Sequence, residues 1–292
     1  MATISSNTKT HCRARSISLP STSNQQSVFN EFYRASLEAT TSSSSSTIAD
    51  KLRAANGMYE SIKPFLTMES TRRSLAQECC KEQLNKFLDE RLELLDICTS
   101  TKEVLSVCIN SAKELQSFLR RKRGDKHGLT SSVEEYLDKK RKVKKIIFKP
   151  LTGLKKQCSS SVNEDNRITS NTDILKEMKL KTLTVFEALF TYILGSKSQF
   201  KPKWWSLVSR VMGNKEVESV QSREESRVKK MDVELQALIC LKKTQTDILE
   251  VNTIQTELAD FELHLLDLDE QVDCLCKHLI KTRVSILNIL NF

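Results

Sequence analysis

The stretch that decides the fold lies at the C-terminal end, where residues 251–290 carry the sequence VNTIQTELADFELHLLDLDEQVDCLCKHLIKTRVSILNIL. Its apolar positions recur in steps of three and four over five heptads, which is the spacing of one helix face. Eleven of the twelve positions in this seam are apolar: Val251, Ile254, Leu258, Phe261, Leu265, Leu268, Val272, Leu275, Leu279, Thr282, Ile286 and Ile289. The pattern therefore predicts a heptad helix over about residues 245–291.

A seam of this length needs a partner surface that covers it from water. An antiparallel bundle within one chain is the favoured solution, because the sequence predicts other long helices that can cover the seam. The alternative is a homodimer in which the C-terminal helices of two chains form a coiled coil. Sedimentation of the purified protein distinguishes the two.

Glycine and proline are scarce in the rest of the chain, with six and four residues among 292. This scarcity argues against sandwiches, glycine-lined nucleotide folds and other architectures that have many tight turns. The sequence predicts an all-α protein, an elongated antiparallel helical bundle of about five to seven helices, several of them long and coiled-coil-like. Residues 1–27 are rich in Ser and Thr and are predicted to be a disordered tail in front of one helical domain at 28–292.

Four further helices follow from periodicity and from punctuating residues. A helix is predicted over residues 48–66, with Pro64 disturbing its last turn. One long helix, whose apolar spacing is interrupted at Lys102, is predicted from residue 70 to about 123. A cationic helix is predicted over 131–148, stopped by Pro150 and Gly153, and an apolar helix over 172–194.

Charge is concentrated in one segment, although the formal net charge of the whole chain is +9. Residues 120–156 contain 14 Lys and Arg against four acidic residues, a local net charge of +10. The remaining chain is therefore close to neutral. A segment of this kind is suited to phosphate, an anionic membrane face, an import receptor or an acidic protein.

The densest part of this segment matches a nuclear import signal. The alternative is that the run forms the solvated outer face of a helix whose inner face contains Tyr136 and Val143. Direct binding of nucleic acid is a third possibility, although few aromatic residues and no nucleic-acid-binding motif accompany the charges. The candidate residues are Lys139, Lys140, Arg141, Lys142, Lys144 and Lys145.

A second candidate site lies in the N-terminal tail. Arg15 stands three residues before Ser18, which is the spacing of a basophilic kinase site, and Pro20 follows two residues later. Once phosphorylated, Ser18 would match the pattern that 14-3-3 dimers bind through an arginine cluster.

The sequence offers no chemistry of catalysis. Phosphate-binding glycine loops, zinc-protease motifs and nucleophile elbows are absent, and we expect no enzyme activity and no cofactor. The nine cysteines are odd in number and form no C-x-x-C pair, so we expect free thiols in a reducing compartment and no metal site.

No stretch is long enough for a transmembrane span. We expect a cytoplasmic or nuclear protein; plastid import is an alternative because the tail resembles a transit peptide in composition.

Several motifs resemble those of a plant-specific family of unknown biochemical function that includes the BYPASS-related proteins. They are HCRARSISLPS at 11–21, LLDIC at 94–98, LQSFLRR at 115–121, YLDKKRKVKKIIFK at 136–149, WSLVS at 205–209 and LIKTRVSILNIL at 279–290. The tail departs from the family at residues 22–24. The resemblance implies a helical, non-enzymatic plant protein associated with root and shoot development. It implies no catalytic or binding residues, and it makes the cationic helix part of the family's domain.

The sequence therefore predicts a protein that acts by contact with a protein partner, whose identity the sequence does not give. Its binding surface would be the cationic segment, the C-terminal seam or both. The alternative is a nuclear, nucleic-acid-associated protein that uses the basic segment 120–145.

Overall fold

The computed structural model describes residues 47–79, 81–121, 126–158, 171–194, 221–240 and 248–291. These ranges contain seven helices and no β-strand. The helices are α1 (Ile48–Thr67), α2 (Glu69–Glu78), α3 (Lys81–Arg121), α4 (Lys126–Cys158), α5 (Asn171–Leu194), α6 (Gln221–Cys240) and α7 (Ile248–Leu290). The all-α bundle predicted from the sequence is confirmed, and α7 begins and ends close to the predicted heptad helix.

Helix α7 is the central element, and at about 1.5 Å per residue its 43 residues span roughly 64 Å. Its seam packs mainly against α3 and α1. Thr282, the one polar seam position, is also buried, and its hydroxyl donates to the carbonyl of His278 at 2.9 Å. The seam is thus covered within one chain, and a homodimer through it gains no support. Its completely buried members are Leu258, Leu265, Leu268, Val272, Leu275, Leu279 and Ile286.

The polar contacts along α7 give the directions of its two main neighbours. Helix α1 runs parallel to α7, since Arg53 contacts Asp267 at 2.8 Å and Asn56 donates to the carbonyl of Gln271 at 3.1 Å. Helix α3 runs antiparallel to α7: Lys102 Nζ lies 2.5 Å from Asp273 Oδ1, and later along α3 Lys113 Nζ lies 3.7 Å from Glu262 Oε1. The interruption at Lys102 in the apolar spacing of α3 is therefore an ion pair to α7.

The prediction of one continuous helix from residue 70 to 123 is wrong. Helix α2 ends at Glu78, the next residue Cys79 has an extended backbone with φ of −100° and ψ of 128°, and α3 begins at Lys81. The break is needed because α1 runs parallel to α7 and α3 antiparallel, so the chain has to reverse between them. No glycine or proline marks this reversal. Instead, Leu75 and Cys79 are buried on either side of the end of α2, at 0 and 5% exposure.

The predicted limits of the cationic helix are also wrong. Helix α4 extends from Lys126 to Cys158 and passes through Pro150 and Gly153. A proline removes one backbone hydrogen bond but does not always end a helix, because the turns on either side can keep theirs. Helix α6 was not predicted, whereas α1 and α5 agree with their predicted limits within one residue.

Helix α1 begins at a capping box, which explains its precise start. The Thr47 hydroxyl accepts a hydrogen bond from the Asp50 amide at 3.1 Å, and the Asp50 carboxylate accepts one from the Thr47 amide at 3.2 Å. The hydrogen bond from the Thr47 side chain is the largest of the effects that lower the pKa of Asp50.

Candidate functional site: the cationic face of helix α4

The inner face of α4 is apolar and fixes which of its cations can reach solvent. Val133, Tyr136, Val143 and Ile147 are buried, at 4% exposure or less. They are spaced by three, seven and four residues, which keeps them on one side of a helix that packs chiefly against α3. Basic residues between these positions must therefore lie at the flanks of the contact or on the opposite side.

Lys139 lies at one flank and joins α4 to α3. Its ammonium pairs with Glu114 of α3 and with Glu135 of its own helix, the latter at 3.0 Å. Hydrogen bonds to these two carboxylates raise the pKa of Lys139 above its ordinary value. This lysine stays charged and serves the contact between α3 and α4.

Lys140 lies at the other flank and joins α4 to α6 through Asp232. The two side chains are only 15 and 18% exposed. Burial raises the pKa of Asp232, and the charge and hydrogen bond of Lys140 oppose that rise. The surroundings are dry, because Tyr136 and Cys108 are 4 and 7% exposed. This burial raises the pKa of Tyr136 and raises that of Cys108 to about 12. Without Lys140 the Asp232 carboxylate would be a buried charge with no partner.

The remaining four cations project from the outer side of α4. Arg141, Lys142, Lys144 and Lys145 are all exposed. Arg141 pairs with Asp138 on the same helix. Within the described ranges, Lys142, Lys144 and Lys145 have neither an ion pair nor a hydrogen-bonded partner. We call the four exposed residues Arg141, Lys142, Lys144 and Lys145 the outer cationic face.

Arg120 and Arg121 do not join this face. They are exposed in the last turn of α3, where Arg120 donates to Gln116 Oε1 and Arg121 to the carbonyl of Ser117, each at 3.1 Å. Because Lys139 lies opposite Glu114 in this helical hairpin, the two arginines lie near the start of α4. About twelve residues of helix, or roughly 18 Å, separate that level from Lys145.

The predicted import run is thus divided between two roles. Lys139 and Lys140 hold the bundle together, and the other four candidates face solvent. An import receptor binds such a run in extended form, so the import hypothesis requires this part of α4 to unwind, and it stays a prediction. Ser18, Arg15, Pro20 and the whole predicted tail lie outside the described residues.

Two acidic residues of this site were missed by sequence reasoning. Glu114 and Asp232 lie 25 and 92 positions from their lysine partners. No local spacing could have identified them, because ion pairs of this kind arise only from the packing of one helix against another.

The described residues contain neither a cluster of His, Cys, Asp and Glu suited to a metal ion nor a helix apolar enough to cross a membrane.

Comparison with known proteins places the chain in a family. Residues 51–289 match the family described as Protein BPS1. The match starts in α1, ends in α7 and includes all of α4, so the cationic helix lies inside the family's domain. It confirms the resemblance inferred from the sequence motifs. No curated protein and no solved structure matches the chain. The chain belongs to the BPS1 family.

Proposed function

We propose that this protein acts without catalysis in plant development, and that it does so by binding a protein partner through the outer cationic face of α4. Root and shoot development are the processes we propose. Membership of the BPS1 family supports the developmental role. The lack of recognisable catalytic motifs in the sequence supports a non-enzymatic one.

The observation that carries the proposal is the contrast between paired and unpaired cations on one helix. Lys139 and Lys140 are used by the fold, whereas Lys142, Lys144 and Lys145 are exposed and form no ion pair in the described parts of the chain. These charges repel one another and do not contribute to packing. A complementary acidic surface would relieve that repulsion, so charge predicts an acidic partner.

An acidic protein suits this face better than nucleic acid. The outer cationic face covers about one helical turn, whereas nucleic-acid binding draws most of its affinity from several phosphate contacts. Proteins that bind single strands also stack bases on exposed aromatic rings. Tyr136 cannot supply such a ring, because it is 4% exposed on the inner side of α4. The second candidate function, a nuclear nucleic-acid-associated protein, is favoured only by the charge itself.

The experiment is proximity labelling in plant root tissue with a full-length charge-reversal variant. This variant reverses the charge of the three lysines of the outer cationic face, with Lys142→Glu, Lys144→Glu and Lys145→Glu together. The matched control reverses three exposed lysines away from α4, namely Lys81→Glu, Lys86→Glu and Lys281→Glu, which gives the same change in net charge. Circular dichroism of both purified variants checks that they are folded.

The proposal expects acidic proteins that are labelled by the wild-type chain and by the control to be lost with the outer-face variant. Identical labelling by all three chains would contradict it. Retention on DNA that falls with salt, and that only the outer-face variant loses, would favour the nucleic-acid alternative.

A further inference from the structure

The interface between α3 and α7 brings two cysteine side chains together. The ion pairs Lys102–Asp273 and Lys113–Glu262 fix the antiparallel register of these helices. Cys98 lies one turn before Lys102, and Cys276 lies one turn after Asp273, so the register places the two cysteines opposite each other. Both side chains lie on the faces that pack together, and each thiol affects the ionisation of the other across the interface.

The two thiols differ in exposure and in charge. Cys98 is completely buried, and Cys276 is half-buried against the core. The interaction with the Cys98 thiol and, to a smaller extent, the positive charge of Lys102 lower the pKa of Cys276, although burial opposes this shift. The same interaction between the two thiols, together with burial, raises the pKa of Cys98. Cys276 is therefore the more exposed and the more acidic of the two thiols, so an oxidant meets it first, with Cys98 buried behind it.

We propose that Cys98 and Cys276 form a reversible disulfide, which covalently joins α3 to α7 when the protein meets a peroxide. Neither the fold nor the proposed partner surface depends on this reaction, since both cysteines are free thiols in the structure described.

The reaction takes place in two steps. The Cys276 thiolate attacks one oxygen of hydrogen peroxide; the O–O bond breaks, hydroxide leaves and takes up a proton as water, and Cys276 becomes a sulfenic acid. The Cys98 sulfur then attacks the Cys276 sulfur, the S–OH bond breaks, and the proton of Cys98 leaves with that hydroxyl as a second water. Two thiols lose two electrons in total, and one peroxide is reduced to two waters.

The three other cysteines whose side chains the structure describes lack this arrangement. Cys274 is also half-buried on α7, but two residues correspond to about 200° of helix rotation, so it points away from the side that carries Cys276. Cys108 is buried ten residues further along α3, and burial raises its pKa to about 12. Cys79 is buried at the end of α2. Cys108 and Cys274 supply matched controls on the same two helices.

The disulfide would close a loop that contains most of the chain between α3 and α7. Cross-links over long loops restrict the unfolded chain and stabilise the folded one. We expect the oxidised protein to melt about 5 °C higher than the reduced protein.

The test uses the full-length protein treated with a small excess of hydrogen peroxide. Free thiols are then blocked with N-ethylmaleimide, and peptides are mapped by mass spectrometry without reduction. The expected product is one cross-linked pair of peptides that contains Cys98 and Cys276, reverts with dithiothreitol, and is accompanied by the rise in melting temperature.

Three variants make the result specific. Cys276→Ser should abolish the cross-link and the melting shift, whereas Cys274→Ser should keep both. Lys102→Met removes the nearby positive charge and should slow cross-linking several-fold without preventing it. Because Cys276 is half-buried, Cys276→Ser should fold normally, and its reduced-state melting curve checks this directly.

Two results would overturn the proposal. One is peroxide treatment that leaves Cys98 free while Cys276 accumulates as sulfinic acid. The other is a cross-link that pairs Cys276 with a different cysteine. Neither result bears on the outer cationic face, so the two proposals fail independently.

Discussion

Helices α7 and α4 have the same backbone geometry, but they differ in how much of their surface other helices cover. Helix α7 packs against α1 and α3, and its seam is dry along most of its length. Helix α4 packs chiefly against α3, and its other side carries the outer cationic face. The comparison indicates that the apolar stripe of a helix determines how central its position in the bundle is. Charge determines what the remaining surface can do.

The largest effect is expected from a truncation in the α7 seam. Leu268→Ala removes a completely buried side chain and should lower the free energy of unfolding by about 3 kcal/mol, because it loses apolar burial and leaves a cavity. Leu263 lies on the same helix and is 66% exposed, so Leu263→Ala should change the free energy of unfolding by less than about 0.5 kcal/mol. Urea unfolding of both variants measures the difference, and equal losses would show that the seam is not the core.

A smaller effect is expected where α4 meets α6. Lys140→Ala leaves the Asp232 carboxylate buried without its partner and should cost about 2 kcal/mol. The control Lys145→Ala removes an exposed lysine and should cost less than about 0.5 kcal/mol. Replacing both partners, with Lys140→Met and Asp232→Leu, should recover most of the loss, because no unpaired charge remains. If Lys140→Ala and Lys145→Ala cost the same in urea unfolding, the pair is not buried in solution.

The stability of the α7 packing should depend on pH through a buried histidine. Burial, as the largest effect, lowers the pKa of His278 on α7 below its ordinary 6.5, although Glu60 opposes the shift. The unfolded chain therefore takes up a proton before the folded chain does, and stability is lost as pH falls below 6.5. Relative to wild type, His278→Gln should remove this loss and Glu60→Gln should deepen it. Denaturation midpoints between pH 7 and pH 5 provide the measurement, and parallel curves for all three chains would contradict the assignment.

The smallest effect on stability is expected at the outer cationic face. Lys142→Gln, Lys144→Gln and Lys145→Gln together should leave the free energy of unfolding within about 0.5 kcal/mol of wild type, since these exposed side chains make no ion pair in the described ranges. The same substitution at Lys139 and Lys140 should be clearly destabilising. A large loss from the triple variant in urea unfolding would mean that the outer face contributes to the fold.

The sequence predicted the helices whose patterns are local, and it failed where the chain has to respond to distant neighbours. The heptads of α7 and the apolar run of α5 gave nearly correct limits. The reversal between α2 and α3 was missed, because it lacks glycine and proline and is required only by the directions of α1 and α3. Pro150 was given too much weight, because helix on both sides can compensate for one lost hydrogen bond.

Burial along α3 is a second example of this limit. Leu92 continues the three-and-four apolar spacing of α3, yet it is 47% exposed. Arg91 beside it is completely buried and donates to the carbonyl of Leu175 on α5 at 2.9 Å. Periodicity identifies a helix face only to within one position, and the placement of α5 selects which neighbour is covered.

The sequence by itself determined that the protein is helical, that its charge is concentrated near residues 120–156 and that α7 carries a continuous seam. These properties depend on residues a few positions apart along a helix, where backbone geometry fixes the side-chain directions. Only the tertiary structure decided that α1 and α3 cover the seam and that Cys98 lies opposite Cys276. It also decided that Asp232 and Glu114 form ion pairs with two lysines of the basic run. Contacts of this kind join residues far apart in the chain, and their existence depends on how whole helices pack against one another.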